Sequence, residues 1–259
     1  TSHSYISNQV KATYPSLDTL SKDIGVVGLD AHFTDTRIAF HDILLFVPSL
    51  SRRPPFNRNP NGEIWINGSV HGKVRDLTLS DFSITGLGDI RFRGSGHITG
   101  LPDVNSSWFN LQIVHLHASE KDIRSFIPPG SIPGNIRLPS FVEAEGRFTG
   151  SLRSFDADLN LRSSFGDAQL NGTLKNITVK GKESYNATFS TKGFDLGRLI
   201  MKEDEIGHVS LNATVQGTGT ELKTANATFK GEIVQAEYNS YNYQDIAFEG
   251  KAQHGEIEL

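Results

Sequence analysis

Cysteine is absent from all 259 residues. That absence removes disulfides, thiol nucleophiles and thiolate metal ligands together, and a chain of this length buries enough core to need no covalent staples. Long apolar runs are also missing: the longest is ILLFV at 43–47, far short of the roughly 20 residues that cross a bilayer as a helix. Long amphipathic helical patterns are missing too. Charge of one sign is not concentrated either, because the formal net charge is −4, the pI is near 6.1 and the single dense basic patch is SRRPPFNRNP at 51–60. Nucleic acid is therefore not the expected partner. The chain starts at Thr1 without Met and stops at Leu259 inside the alternating run GEIEL, so it reads as a piece of a longer parent whose signal peptide or anchor lies elsewhere.

What is present is β-structure. Twenty-five Gly and ten Pro, with many Thr, Ser and Asn, punctuate short runs in which apolar and polar residues alternate. EIWINGSV, DIRFRGSG, FNLQIVHL, FVEAEGRF, DADLNLRS, AQLNGTL, NITVKG and IAFEGKA read as strands, and SYNATFS, SLNATVQ and TANATFK form a triplet around Asn-Ala-Thr. In that triplet Tyr185, Ala187 and Phe189, Leu211, Ala213 and Val215, and Ala225, Ala227 and Phe229 share one side, leaving Asn186, Asn212 and Asn226 on the other. Further Asn-x-Ser/Thr triplets at Asn67, Asn105, Asn171 and Asn176 would suit a glycosylated secreted protein. The strand period accounts for the Asn-Ala-Thr copies without glycosylation. Two or three short helical turns complete the expectation, one at SEKDIRSFI, where Ser119 and Asp122 form a capping-box pattern.

Three strands share one design. Ile64, Ile66, Gly68 and Val70 precede His-Gly; Val142, Ala144, Gly146 and Phe148 precede Thr-Gly; Val209, Leu211, Ala213 and Val215 precede Gln-Gly, so that Gly72, Gly150 and Gly217 mark an internal repeat. Upstream of each lies a short segment, HDILLFVPSL, SEKDIRSFIPP or FDLGRLIMKED. The predicted organisation is one continuous repetitive β-domain over 1–259, with units near 36–105, 106–183 and 184–259. Small inward residues such as Gly68, Gly146, Ala144, Ala187, Ala213 and Ala225 leave either room inside the fold or space that large residues of a facing sheet fill. Exposed edge strands at the two ends invite pairing between copies.

Catalytic patterns are lacking. His115 and His117 share a strand face but have no third ligand close in sequence, and GLG at 86–88, GSG at 94–96 and GTG at 217–219 read as turns, with no Gly-Lys-Ser/Thr continuation. The pairs Asp156 and Asp158, and Glu143 and Glu145, alternate with apolar residues and read as solvated positions, and no Gly-x-Ser-x-Gly elbow occurs. The expectation is a protein without enzymatic activity, cofactor or metal.

FDLGRLI, IGHVSLNATVQGTG and YNSYNYQDIAFEG, with HDILLFVPSL, FRGSGHITGLPD, LPSFVEAEGRFTGSLRSFDADLNL and FGDAQLNGTLKN upstream, resemble in order and spacing the repeats of the TamB family in its Bacteroidota form, over nearly the whole chain. Members, found in Gram-negative cells, belong to the AsmA-like group, which is related in architecture to bridge-like lipid-transfer proteins. The resemblance implies an elongated β-structure whose mostly antiparallel strands curl into an open apolar trough, a β-taco. It implies a periplasmic segment of a parent anchored in the inner membrane, reaching an Omp85-type outer-membrane partner and carrying phospholipid between membranes, with a debated part in assembling outer-membrane proteins. The acyl chains would lie on Ala144, Gly146, Phe148, Leu159, Leu161, Ala187, Phe189, Leu211, Ala213, Val215, Ala227 and Phe229. The rival reading is a surface adhesin or carbohydrate-binding β-repeat with a closed core.

Overall fold

Alternating polarity builds a meander of antiparallel strands in a computed structural model of the chain. The structure describes residues 4–6, 10–16, 23–46, 48–52, 56, 57, 59–126, 132, 134–221, 223–253 and 255–259. Arg53 and Arg58 of the basic stretch, Val47 of ILLFV, residues 127–129 of SEKDIRSFIPP and Leu222 lie outside them. The chain divides into two units, Thr1–Pro128 and Pro129–Leu259.

In the first unit the strands are β1 (Val10–Thr13), β2 (Gly28–Ala39), β3 (Glu63–Lys73), β4 (Asp76–Leu87), β5 (Ile90–Thr99) and β6 (Trp108–Ser119). In the second they are β7 (Phe141–Gly150), β8 (Phe155–Ser163), β9 (Gly166–Lys175), β10 (Ser184–Asp195), β11 (Ile206–Thr218), β12 (Asn226–Tyr238), β13 (Tyr241–Gln253) and β14 (Glu256–Glu258). Within each unit every strand pairs antiparallel with its chain neighbour, and the sheet stays open rather than closing into a barrel. The protein is all-β, with three short α-helices among the described residues: α1 (Phe40–Phe46), α2 (Glu120–Phe126) and α3 (Leu196–Ile200).

The helices reveal the period. Each begins directly after a twelve-residue strand, α1 after β2, α2 after β6 and α3 after β10, so four strands separate successive helices. Gly72, Gly150 and Gly217 all sit in the last three positions of the first strand after a helix. Their unequal spacing follows in part from the linkers between helix and strand, which run over 47–62, 127–140 and only 201–205.

Bulges precede the helices and reset the alternation. In β2, Asp35 adopts φ 47° and its N–H donates to Asn67 Oδ1 at 2.7 Å; in β10, Gly193 adopts φ 57° and donates to Ser210 Oγ at 2.8 Å. β4 uses the same device at Asp81, φ 46°, which donates to Ser95 Oγ at 3.1 Å. In each case the extra residue leaves the ladder and a polar side chain on the next strand satisfies its N–H, so the strand bends without an orphaned donor. These interruptions hide β2 and β4 from a search for strict alternation. Two other expectations change: NITVKG is a looped segment, with Asn176 at φ 54° and Val179 N–H bonded back to Asn176 O at 2.8 Å, and GSG at 94–96 lies inside β5 rather than in a turn.

A carboxylate takes part in the hydrogen bonds at each helix start. At α2, Ser119 Oγ donates to Asp122 Oδ2 at 2.7 Å, the Ser119 N–H donates to the same oxygen at 3.1 Å, and the Asp122 N–H returns to Ser119 Oγ at 3.3 Å. At α3, Asp195 accepts from the Arg198 N–H at 3.0 Å. At α1 the cap position is Ala39, which has no polar side chain, and the hydroxyl comes instead from the distant Ser4: it accepts from the Ala39 N–H at 2.9 Å and donates to Asp42. The β-bridge between Tyr5 and Arg37 holds Ser4 there. Ser4→Ala should therefore weaken the first unit by about 1 kcal/mol, read as a lowered midpoint in urea denaturation, although Ser4 is 35 residues away from the helix end it caps.

Candidate functional site

Cross-strand register sorts the second unit into an apolar and a polar face. One row across β7 to β13 runs Gly146, Leu159, Leu170, Phe189, Ala213, Gly231, Phe248, and the next runs Phe148, Ala157, Gly172, Ala187, Val215, Phe229, Gly250. The flanking rows are Ala144, Leu161, Ala168, Thr191, Leu211, Ile233, Ile246 and Gly150, Phe155, Leu174, Tyr185, Gly217, Ala227, Ala252. No charged residue enters these four rows. All twelve positions expected from the sequence fall within them, and the register adds others, Leu170, Gly231, Phe248 and Gly250 among them.

Large and small residues interlock within the face. A side chain added at Gly231 would meet the Phe248 ring at 2.8 Å, and one added at Gly250 would meet the Phe229 ring at 2.6 Å. The rings thus occupy the space above neighbouring glycines in the same face, and Ala144, Ala157, Ala187, Ala213 and Ala227 are buried although Phe148, Phe189 and Phe229 remain half-buried. This answers the question the small residues posed. Their space is filled by in-plane neighbours, with no facing sheet among the described residues of the unit, and the result is a level apolar surface. Gly146 has a further reason to be glycine: at φ 131° its missing side chain would lie 2.0 Å from Asp158 O.

The first unit repeats the arrangement. Ala31, Val70, Leu79, Gly96 and Leu111 form one row, and Thr36, Ile66, Ile84, Phe92 and Leu116 another. Phe40 of α1 packs with Ile64 and Ile66, and its ring lies 4.6 Å from that of Phe56, so helix and linker cover one end of this face. Thr36 is fully buried there and its hydroxyl has no hydrogen-bond partner.

The opposite face is polar. Arg147, Asp158, Asn171, Thr188, Thr214, Lys230 and Glu249 stand in one row of the second unit, with Arg147 Nη2 donating to Asp158 Oδ2 at 3.3 Å. Asn186, Asn212 and Asn226 are exposed on this side, as are Asp156, Asp158 and Glu145. A shallow depression of about 720 Å³ opens here between Glu145, Arg162, Asp167, Gln169, Lys192 and Asn212. Arg162 approaches both Glu143, at 3.9 Å, and Asp167, at 3.8 Å. Such exposed pairs fix register more than they stabilise.

His115 and His117 stand opposite Arg93 and Arg91, two permanently cationic neighbours that disfavour a metal ion, and no cluster of three metal-ligating side chains exists among the described residues. Where β10 begins, Glu183 is buried: one oxygen accepts from Thr220 Oγ1 at 3.2 Å and the other has no partner. Beside it, burial and then the Glu183 carboxylate push the Tyr185 hydroxyl above the ordinary phenol range, and that hydroxyl donates to Gly219 O at 2.9 Å. These bonds tie the 219–221 turn to β10. Against known proteins, no family model, no curated protein and no solved structure matches the chain.

Two substitutions test the face. Thr36→Val keeps shape and deletes the orphaned hydroxyl, so it should stabilise by about 1 kcal/mol in urea denaturation. Gly146→Ala should destabilise by about 2 kcal/mol or more, whereas Ala213→Gly, at the matching position of the third repeat, should cost only about 1 kcal/mol.

Proposed function

We propose that the apolar face carries lipid acyl chains, and that the chain is the periplasmic part of a TamB-like, AsmA-like protein moving phospholipid between inner and outer membranes. The observation that carries this reading is the pairing of extent with emptiness: four uncharged rows span seven strands, and among the described residues of the unit no second sheet lies over them. Such a surface has to be covered by something apolar. An acyl chain fits because each methylene it buries contributes about 0.8 kcal/mol. The levelling of rings over glycines leaves no deep pocket to trap one chain in place, which suits sliding better than storage.

The wider role comes with the family resemblance rather than with the face. It comprises an inner-membrane anchor in the parent, an Omp85-type outer-membrane partner and an assistance to outer-membrane protein assembly. The rival adhesin or carbohydrate-binding reading calls for a closed core. The open sheet of each unit favours the lipid reading over it.

Phe229 and Val215 are opposite each other in register and half-buried, so Phe229→Asp and Val215→Asp separate the two readings. On an open face water can still solvate the new carboxylate, and the variants should fold, lose bound phospholipid in native mass spectrometry and fail to complement loss of the parent gene. In a closed core the carboxylate would be buried unpaired at a cost of several kcal/mol and the protein would unfold. Photo-crosslinkers at the same two positions should capture phospholipid, and those at Asn212 and Asn226 should not. Equal labelling from both faces would refute the lipid reading.

A further inference from the structure

One end of the second unit carries apolar and basic side chains together. Three connections meet there, 151–154 between β7 and β8, 176–183 between β9 and β10 and 219–225 between β11 and β12, while α3 and the 164–165 turn lie at the other end. Polar contacts tie the three into one ridge. The Ile177 N–H donates to Arg153 O at 3.0 Å and the Asn176 N–H to Ser154 Oγ at 2.9 Å, which joins the first connection to the second. The Gly219 N–H donates to Glu183 O at 3.0 Å and Lys180 Nζ lies 2.8 Å from Glu221 Oε1, which joins the second to the third.

Every residue from Lys175 to Lys182 is exposed, yet the segment is folded back on itself, with the Val179 N–H donating to Asn176 O at 2.8 Å and the Lys182 N–H to Val179 O at 3.0 Å. Ile177 and Val179 are 39% and 37% exposed, and Leu152 in the adjoining connection is 37% exposed. Around them stand five basic side chains, Arg153, Lys175, Lys180, Lys182 and Lys223, all exposed. Carboxylates do not balance these charges: Glu221 is paired with Lys180, Glu183 is buried, and Asp156, the next along, lies inside β8 and accepts from Thr173. On the polar face of the same unit the arginines are matched with acids, Arg147 with Asp158 and Arg162 with Glu143 and Asp167. On the ridge, among the described residues, Lys180 alone of the five is ion-paired.

We propose that this ridge docks on the surface of a bilayer carrying anionic phospholipid, with Leu152, Ile177 and Val179 entering between the headgroups and the basic side chains lying at their phosphates. Aliphatic tips ringed by unpaired cations match the two layers of such a surface, because the long lysine and arginine stems let the charges stay at the phosphate level while their apolar neighbours go deeper. The last apolar row of the sheet, from Gly150 through Phe155, Leu174 and Tyr185 to Ala227, begins directly inside the ridge. A seated ridge therefore sets the open end of the apolar face against the bilayer. Docking depends on the ridge alone and holds or fails independently of the lipid reading.

Co-sedimentation with vesicles tests it, comparing an equal mixture of phosphatidylglycerol and phosphatidylcholine with phosphatidylcholine alone. The wild-type chain should bind the anionic vesicles, less tightly as salt rises, and the neutral ones far more weakly. Lys175→Gln with Lys182→Gln should weaken the binding by about tenfold or more, and Ile177→Ser with Val179→Ser by about tenfold. All four positions are exposed, and an unchanged urea midpoint shows that the fold is kept. Phe229→Asp on the apolar face should leave vesicle binding as it is, and both pairs of ridge substitutions should leave phospholipid crosslinking at positions 215 and 229 as it is, so ridge and face are judged separately. A chain that does not bind anionic vesicles overturns the proposal, as does equal binding to neutral ones. Binding that either pair of ridge substitutions leaves unchanged, or that Phe229→Asp abolishes, overturns it too.

Discussion

Packing within one face, rather than between two layers, is the constraint on which this structure rests. A sheet with an apolar side normally buries it against a second sheet or a helix layer. Here each unit has only short helices, so apolar side chains bury against neighbours in their own plane. That works only if sizes are matched across strands: Phe248 over Gly231, Phe229 over Gly250, Phe148 and Phe155 with ring centroids 4.9 Å apart beside Ala157. The many glycines and alanines at inward positions are thus the complement of the phenylalanines. Together they make a surface that is apolar but not porous.

The polar devices serve the same arrangement. Bulges at Asp35, Asp81 and Gly193 bend the strands, and each is tolerated because a side chain across the ladder receives the displaced N–H. The helices that follow β2, β6 and β10 end the long strands, and a carboxylate takes part in the capping hydrogen bonds at each start, directly at α2 and α3 and through Ser4 at α1. On the water side, alternating charges such as Glu143, Arg162 and Asp167 penalise slipped registers, since a shift by one residue would turn every phenylalanine outward. Face segregation, bending and register are one design seen from three sides.

Where alternation is unbroken, the sequence alone shows the strand and its face. The β7, β8, β10, β11 and β12 segments and the capping box of α2 are legible in this way, and the twelve apolar positions quoted from these strands share one face. Legibility fails where a single residue changes the phase. β2 and β4 carry such residues at Asp35 and Asp81, and NITVKG looks alternating but meets no partner strand. The cap of α1 is invisible for a different reason, because its hydroxyl comes from Ser4, across a β-bridge rather than along the chain.

The bulges make the chain behave like a message read in frames of two. Leu77 and Leu79 lie upstream of Asp81 in β4, and Phe82 and Ile84 lie downstream, yet all four reach the same face because the extra residue shifts the frame between them. Losing Asp81 alone would let Leu77, Leu79, Phe82 and Ile84 fall into one unbroken alternation, whereas losing Ser83 would leave Phe82 and Ile84 adjacent and turn one of them to water whatever the register. A second deletion farther along could not repair the segment between. Insertions and deletions within these strands are therefore felt along their whole length, and length variation in such a protein has to collect in the linkers that follow its helices, where 47–62 and 201–205 already differ.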